Sequence, residues 1–182
     1  MFKSALLAGL LFIVAPGFAA DYVQASGSSL VFAGTYQGEA FTGRFPSFAT
    51  RLSFDPQQLA NAKLDVTIPL ASATTANADY DSEMRGKDFF ASAKFLQAHY
   101  TATKFRSLGG NRYAADGTLS LHGASKPVTL AFTWTPGAQP VLVGNATVKR
   151  LDFGVGSGDW ADTSLIPNEI AISTKVMLQP AR

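Results

Sequence analysis

From Lys63 to Leu70 apolar and polar side chains alternate without a break, Leu64, Val66, Ile68 and Leu70 on one face and Lys63, Asp65 and Thr67 on the other. A period of two marks a half-buried strand, whose apolar face must find a cover. The alternation returns at Val128-Leu130-Phe132-Trp134, against Thr129, Thr133 and Thr135, and at Ile170-Ile172-Thr174-Val176-Leu178, against Glu169, Ser173, Lys175 and Gln179. Residues 29–36, 39–48, 50–54, 97–105, 113–121 and 141–149 read as further strands. Turn chemistry separates them: Asp55-Pro56, Gly109-Gly110-Asn111, His122-Gly123-Ala124-Ser125, and Pro136-Gly137 with Pro140. Loops this short join antiparallel neighbours, because a parallel crossover needs roughly a dozen residues. About eight such strands hide their edges by closing on themselves, so an all-β, eight-stranded antiparallel barrel is expected.

Two stretches break the pattern. Residues 78–93 read as a short helix, with Asp79 and Asp81 in its first turn, where the helix dipole favours them, and Tyr80 and Met84 on one face. It is expected to plug one barrel end with Phe89 and Phe90 close by. Residues 154–168, with Gly154, Gly156, Gly158 and then Trp160, form a long rim loop or lid. Gly-x-Gly-x-Gly is no dinucleotide fingerprint here, since no parallel strand precedes it and no helix follows.

Met1-Phe2-Lys3 followed by an apolar run from Ala5 to Val14 and then Pro16-Gly17 has the form of a signal peptide, too short to span a membrane as a helix. Small residues at Gly17 and Ala19 favour cleavage after Ala19, so residues 20–182 are expected to be exported as one domain with no transmembrane segment. Loss of Lys3 takes the formal net charge from +2 to +1. With no run of like charge, a nucleic-acid partner is not expected. Cysteine is absent, so neither disulfides nor thiolate chemistry are available. Stability must come from the core; the chain's 14 Phe, less Phe2, Phe12 and Phe18 of the leader, can supply one.

The residues offer little for catalysis. His99 is expected on the outer face of its strand and His122 at a turn, both solvated, and two imidazoles without cysteine make a poor metal site. Asp152, Asp159, Asp162 and Glu169 lack the paired spacing of carboxylate enzymes. Arg44 and Asp152, each between apolar neighbours, need a partner, a lipid headgroup or water. No catalytic residue, metal or cofactor is expected.

Gly43-Arg44-Phe45, Phe54-Asp55-Pro56, Met84-Arg85-Gly86-Lys87-Asp88-Phe89-Phe90, Lys94-Phe95, Leu119-Ser120-Leu121-His122-Gly123, Lys126-Pro127-Val128-Thr129-Leu130 and Asp152-Phe153-Gly154-Val155-Gly156 occur in that order. Together they resemble the YceI-like family of periplasmic, lipocalin-like polyisoprenoid-binding proteins. The chain departs from that pattern at Asp81-Ser82-Glu83-Met84-Arg85, without the family's histidine, and at Lys94-Phe95-Leu96, without its proline. The resemblance implies an elongated apolar tunnel holding an isoprenoid, an isoprenoid quinone or another long-chain lipid, with no agreed catalytic residues and with links to envelope stress. Phe32, Phe45, Phe89, Phe90, Leu119, Leu121, Phe132, Trp134, Val143 and Trp160 are the expected ligand contacts, with Ala98 and Ala102 leaving room inside. An eight-stranded barrel is equally able to be filled by its own side chains. A stress or protein-interaction module with a filled barrel is therefore the alternative, and a homodimer stays open. An enzyme on a prenyl or acyl chain is a third reading, with Asp88 or Asp152 as its acid.

Overall fold

The computed structural model describes residues 20–182; the leader expected over residues 1–19 lies outside them. Ten strands follow in order: β1 (Ala20–Gln24), β2 (Ser29–Tyr36), β3 (Glu39–Arg44), β4 (Ala49–Phe54), β5 (Lys63–Pro69), β6 (Gln97–Gly109), β7 (Arg112–Leu121), β8 (Ala124–Thr135), β9 (Val141–Lys149) and β10 (Glu169–Pro180). One α-helix, α1 (Ala78–Arg85), stands between β5 and β6. All ladders are antiparallel, and the order β1-β4-β5-β6-β7-β8-β9-β10 returns to β1, closing an eight-membered ring.

Ten strands fill eight places because two places are broken. β10 carries β1 along residues 178–180 and β2 along residues 171–175, so β1 and β2 are halves of one wall position interrupted by a turn. β3 and β4 repeat the device around Pro46, which has no N–H to give a ladder. The single strand expected over 39–48 therefore ends at Arg44. β4 pairs fully with β5, whereas β3 meets the segment after β5 only through the Arg44–Thr74 bridge. The wall is thus complete at one end of the barrel and split at the other.

Side-chain alternation packs the complete end solid. Phe54, 1% exposed, sits among the rings of Phe105, Tyr113, Phe132 and Trp134 at centroid distances of 5.0–6.0 Å, each such pair contributing ~0.5–1.5 kcal/mol beyond burial. A register shift between Ala102 and Lys104 turns Phe105 inward to join them. Above this floor the Tyr100 ring lies over Gly117, where a Cβ would fall 2.4 Å from the Thr101 carbonyl oxygen and 2.7 Å from the ring. The single proton of the Tyr100 hydroxyl is shared between the carbonyls of Ala115 and Val128, 2.8 and 3.0 Å away, and burial pushes its pKa up to about 12.

Candidate ligand-binding site

Above Tyr100 the barrel is hollow. The cavity has a volume of about 280 Å³, close to the lower end of the ~300–1,000 Å³ usual for ligand sites. Its wall comes from inward positions of the strands, including Leu30 and Phe32 of β2, Leu64 to Ile68 of β5, Ala98 of β6, Leu130 of β8, Val148 of β9 and Ile170 to Val176 of β10. The surface it offers is carbon throughout. Thr50 stands in the wall, yet its Oγ1 is covered and lacks a hydrogen-bond partner, as does Oε1 of Gln24. Thr50→Val removes that unsatisfied hydroxyl at nearly constant shape. It is expected to raise stability by ~1 kcal/mol, read as a higher midpoint in urea at unchanged slope.

The split end is roofed by two segments. Asn77 caps α1 by accepting from the amides of Asp79 and Tyr80 at 3.0 and 3.2 Å. Asp81 ties α1 to the wall: it accepts from Thr74 Oγ1 at 2.6 Å and from the amide and hydroxyl of Thr75 at 2.6 and 2.9 Å. These donors, Thr74 first, hold its carboxyl below the usual carboxylate range despite burial. The helix ends at Arg85, short of Ala93, because Gly86 turns into extended backbone and Phe90 N–H reaches back to the Met84 carbonyl. Phe89 and Phe90 consequently ride on tight turns beyond the helix, and Tyr80 and Met84 face the cavity from α1 itself.

The second segment, residues 154–168, is held from beneath by Arg150. That side chain is only 3% exposed and has no carboxylate partner. All five of its N–H groups are used: Nε donates to Pro167 O, Nη1 to Val155 O and Gly156 O, and Nη2 to Trp160 O and Ile166 O, at 2.7–3.1 Å. Burial lowers its pKa, the carbonyl fork partly replacing the water it has lost. Gly156, with φ +72°, leaves room for the guanidinium, since a Cβ there would lie 2.3 Å from Nη1. The Asp88 carbonyl then accepts from the amides of Gly156 and Ser157, joining the two roof segments. Around the opening Trp160 packs against Phe89 and Tyr36, and Tyr36 against Tyr80.

Seven of the residues anticipated as ligand contacts lie on this cavity: Phe32, Phe45, Leu119 and Leu121 in the wall, Phe89 and Phe90 in the roof, Trp160 at the rim. Three do not. Phe132 and Trp134 point inward as alternation requires but belong to the solid floor, and Val143 is 46% exposed on the outer face, because Leu142 and Gly144 take the inward positions of β9. Ala98 lines the cavity, whereas Ala102 is buried below it. Leu30, Phe41, Phe48 and Arg150 join the lining without having been anticipated.

The titratable groups sit mostly elsewhere. His99 is at the surface, 3.0 Å from Asp65. His122 is less free than its turn position implied: Nδ1 lies 3.0 Å from the Phe153 carbonyl, which can only accept, so the proton is on Nδ1, and the ring packs on Phe95 at 4.8 Å. Arg44 and Asp152 are exposed, and neither Asp88 nor Asp152 lines the cavity. Glu83, at the rim, is the one carboxylate that does. Among the described residues no three His, Cys, Asp or Glu gather as a metal would need, and no helix is long and apolar enough to cross a membrane.

A closed antiparallel barrel with a carbon-lined, blind-ended cavity is a lipocalin-like barrel. The profile of the YceI-like domain matches residues 22–178, and the chain belongs to that family. A UPF0312 protein from Vibrio vulnificus is 30% identical to it, over 91% of this chain and 96% of its own length. BcnA of Burkholderia cenocepacia superposes with a TM-score of 0.79 at 29% identity, over 82% of this chain and 95% of that one. A polyisoprenoid-binding domain from Saccharophagus degradans shares the fold, with a TM-score of 0.69 over 90% of this chain and 99% of that one, at 16% identity.

Proposed function

We propose that this protein is a non-enzymatic periplasmic binder of an isoprenoid or other long-chain lipid, which it carries, stores or sequesters. The observation that carries the reading is the blind-ended cavity whose offered surface is carbon, since each methylene moved into it from water gains ~0.8 kcal/mol. Family membership and the leader pattern of Met1 to Ala19 support the lipid and the compartment. The hollow upper half of the barrel speaks against the module with a filled interior, and the placing of Asp88 and Asp152 away from the cavity against a prenyl- or acyl-chain enzyme.

Protein purified from a periplasmic extract without detergent is expected to release a prenyl or alkyl lipid on organic extraction, identified by mass spectrometry at a substantial fraction of one per chain. Extracts free of such lipid, together with no uptake of added prenol, quinone or fatty alcohol, would overturn the reading.

A further inference from the structure

We infer that α1 is a lid on the cavity, hinged at Ala76 and Gly86 and latched by the Asp81 carboxylate on Thr74 and Thr75, and that release of this latch sets how fast a ligand enters and leaves. This concerns the same site as the lipid-binding reading and rests on it.

Of the two roof segments, only one is free to swing. Residues 154–168 are bonded to three separate parts of the chain. Arg150 holds them through its five N–H groups, the Gln37 amide at the β2–β3 turn donates to the Leu165 carbonyl at 2.8 Å, and the Asp88 carbonyl accepts from the amides of Gly156 and Ser157 at 2.7 and 2.9 Å. Among the described residues, every hydrogen bond that leaves α1 ends within residues 71–92. Against the strands of the barrel the helix is held by packing alone, as where the Tyr80 and Tyr36 rings meet at 6.5 Å. A segment tied only to its own neighbours in sequence opens more readily than one tied from several sides.

The backbone marks the ends of the moving part. Ala76 has φ +64°, a left-handed conformation unfavourable to a residue with a Cβ, and Gly86 leaves the helix in extended backbone. Just outside these points the chain is fixed, by the Arg44–Thr74 bridge on one side and by the two amides on Asp88 on the other. Asp81, 9% exposed, reaches back from the helix across the Ala76 hinge, one carboxylate oxygen on the Thr74 hydroxyl and the other on the amide and hydroxyl of Thr75. It thereby joins the moving part to the frame. Swinging α1 outward takes Tyr80, Glu83 and Met84 out of the lining and widens the mouth.

The test follows uptake and release of a fluorescent fatty alcohol by the full chain in stopped flow. Both rates are expected to rise about tenfold or more in Asp81→Asn, with equilibrium affinity changed by less than about threefold, because a weakened latch opens more often yet stays mostly closed. Thr74→Val removes one of the same bonds and is expected to raise both rates by about threefold, and by less than that when added to Asp81→Asn. Rates unchanged in a folded Asp81→Asn variant overturn the latch. Asp79→Asn, on the exposed side of the same turn, is expected to stay within about twofold of the wild type, and an equal rise there assigns the effect to general helix stability and also overturns it. Hydrogen exchange needs no ligand: in the wild type the amides of residues 82–85 are expected to exchange at least about tenfold faster than those of Val155 and Gly156, and Thr74→Val or Asp81→Asn to quicken the first group alone. Slower exchange in α1 than in the loop overturns the lid. Absence of probe binding with the expected exchange pattern is the separate failure of the lipid-binding reading.

Discussion

Replacing Arg150 with methionine is expected to destabilise the protein by about 4 kcal/mol, as much as truncating a large residue of the core. The aliphatic part of the side chain is kept, so the loss comes from the polar end. Five carbonyls, from Val155, Gly156, Trp160, Ile166 and Pro167, lose their donor together. A buried carbonyl without a partner costs ~1–3 kcal/mol, and local opening of the loop to water relieves part of the sum. The expected signature is a melting temperature lower by roughly 10 °C, with protease cleavage concentrated in residues 154–168. Arg150→Lys keeps the charge but offers three donors from one point instead of five in a plane, so it should recover less than half of the loss. A methionine variant that melts with the wild type and resists protease would show that the loop is held by something else.

Ala98→Phe is expected to reduce lipid affinity by ~100-fold or more while leaving the barrel folded. Ala98 is 3% exposed and its methyl group borders the cavity, so a ring built there enters the space the lipid would use. Excluding about four methylenes of ligand at ~0.8 kcal/mol each removes roughly 3 kcal/mol of binding. Because the cavity is empty of side chains, the ring gains burial without displacing neighbours, and stability should hold or rise. The informative pairing is displacement of a fluorescent fatty alcohol against thermal melting. Unchanged affinity in a folded variant would place the lipid outside the barrel.

Alternation in the sequence revealed the strands, their antiparallel order and the ring of eight, because a period of two is set by the backbone and survives any tertiary context. It reveals which face a side chain takes but not how far along the barrel it sits. Phe132 and Trp134 were therefore assigned correctly to the interior and wrongly to the cavity. At Val141-Leu142-Val143 three apolar residues in a row carry no alternation, so the phase was lost and Val143 was turned the wrong way. The breaks in the wall were hidden for a different reason. Residues 25–28 and 45–48 interrupt strands without the loop length that usually announces a turn, and β1, five residues long, follows directly on the leader and is too short to display a period. Arg150 left no signal because its partners are carbonyls, which every residue possesses. Its role comes from the path of the loop, which composition does not record.

The pairing of β1 with β10 has a consequence for when the cavity comes into being. Tyr22 lies opposite Pro180, so the ring is completed by contacts between the two extremes of the described chain. Hairpins such as β6–β7 and β7–β8 can form as soon as their own residues are available, since they close loops of a few residues. The last ladder must gather almost the whole chain, and contacts of that sequence separation are slow to form. Until then the inner faces of the hairpins are an open, oily trough without a floor or roof. A lipid of the kind proposed would compete with the chain's own collapse during this interval, and one that arrived afterwards would have to pass the aromatic rim of Tyr36, Phe89 and Trp160.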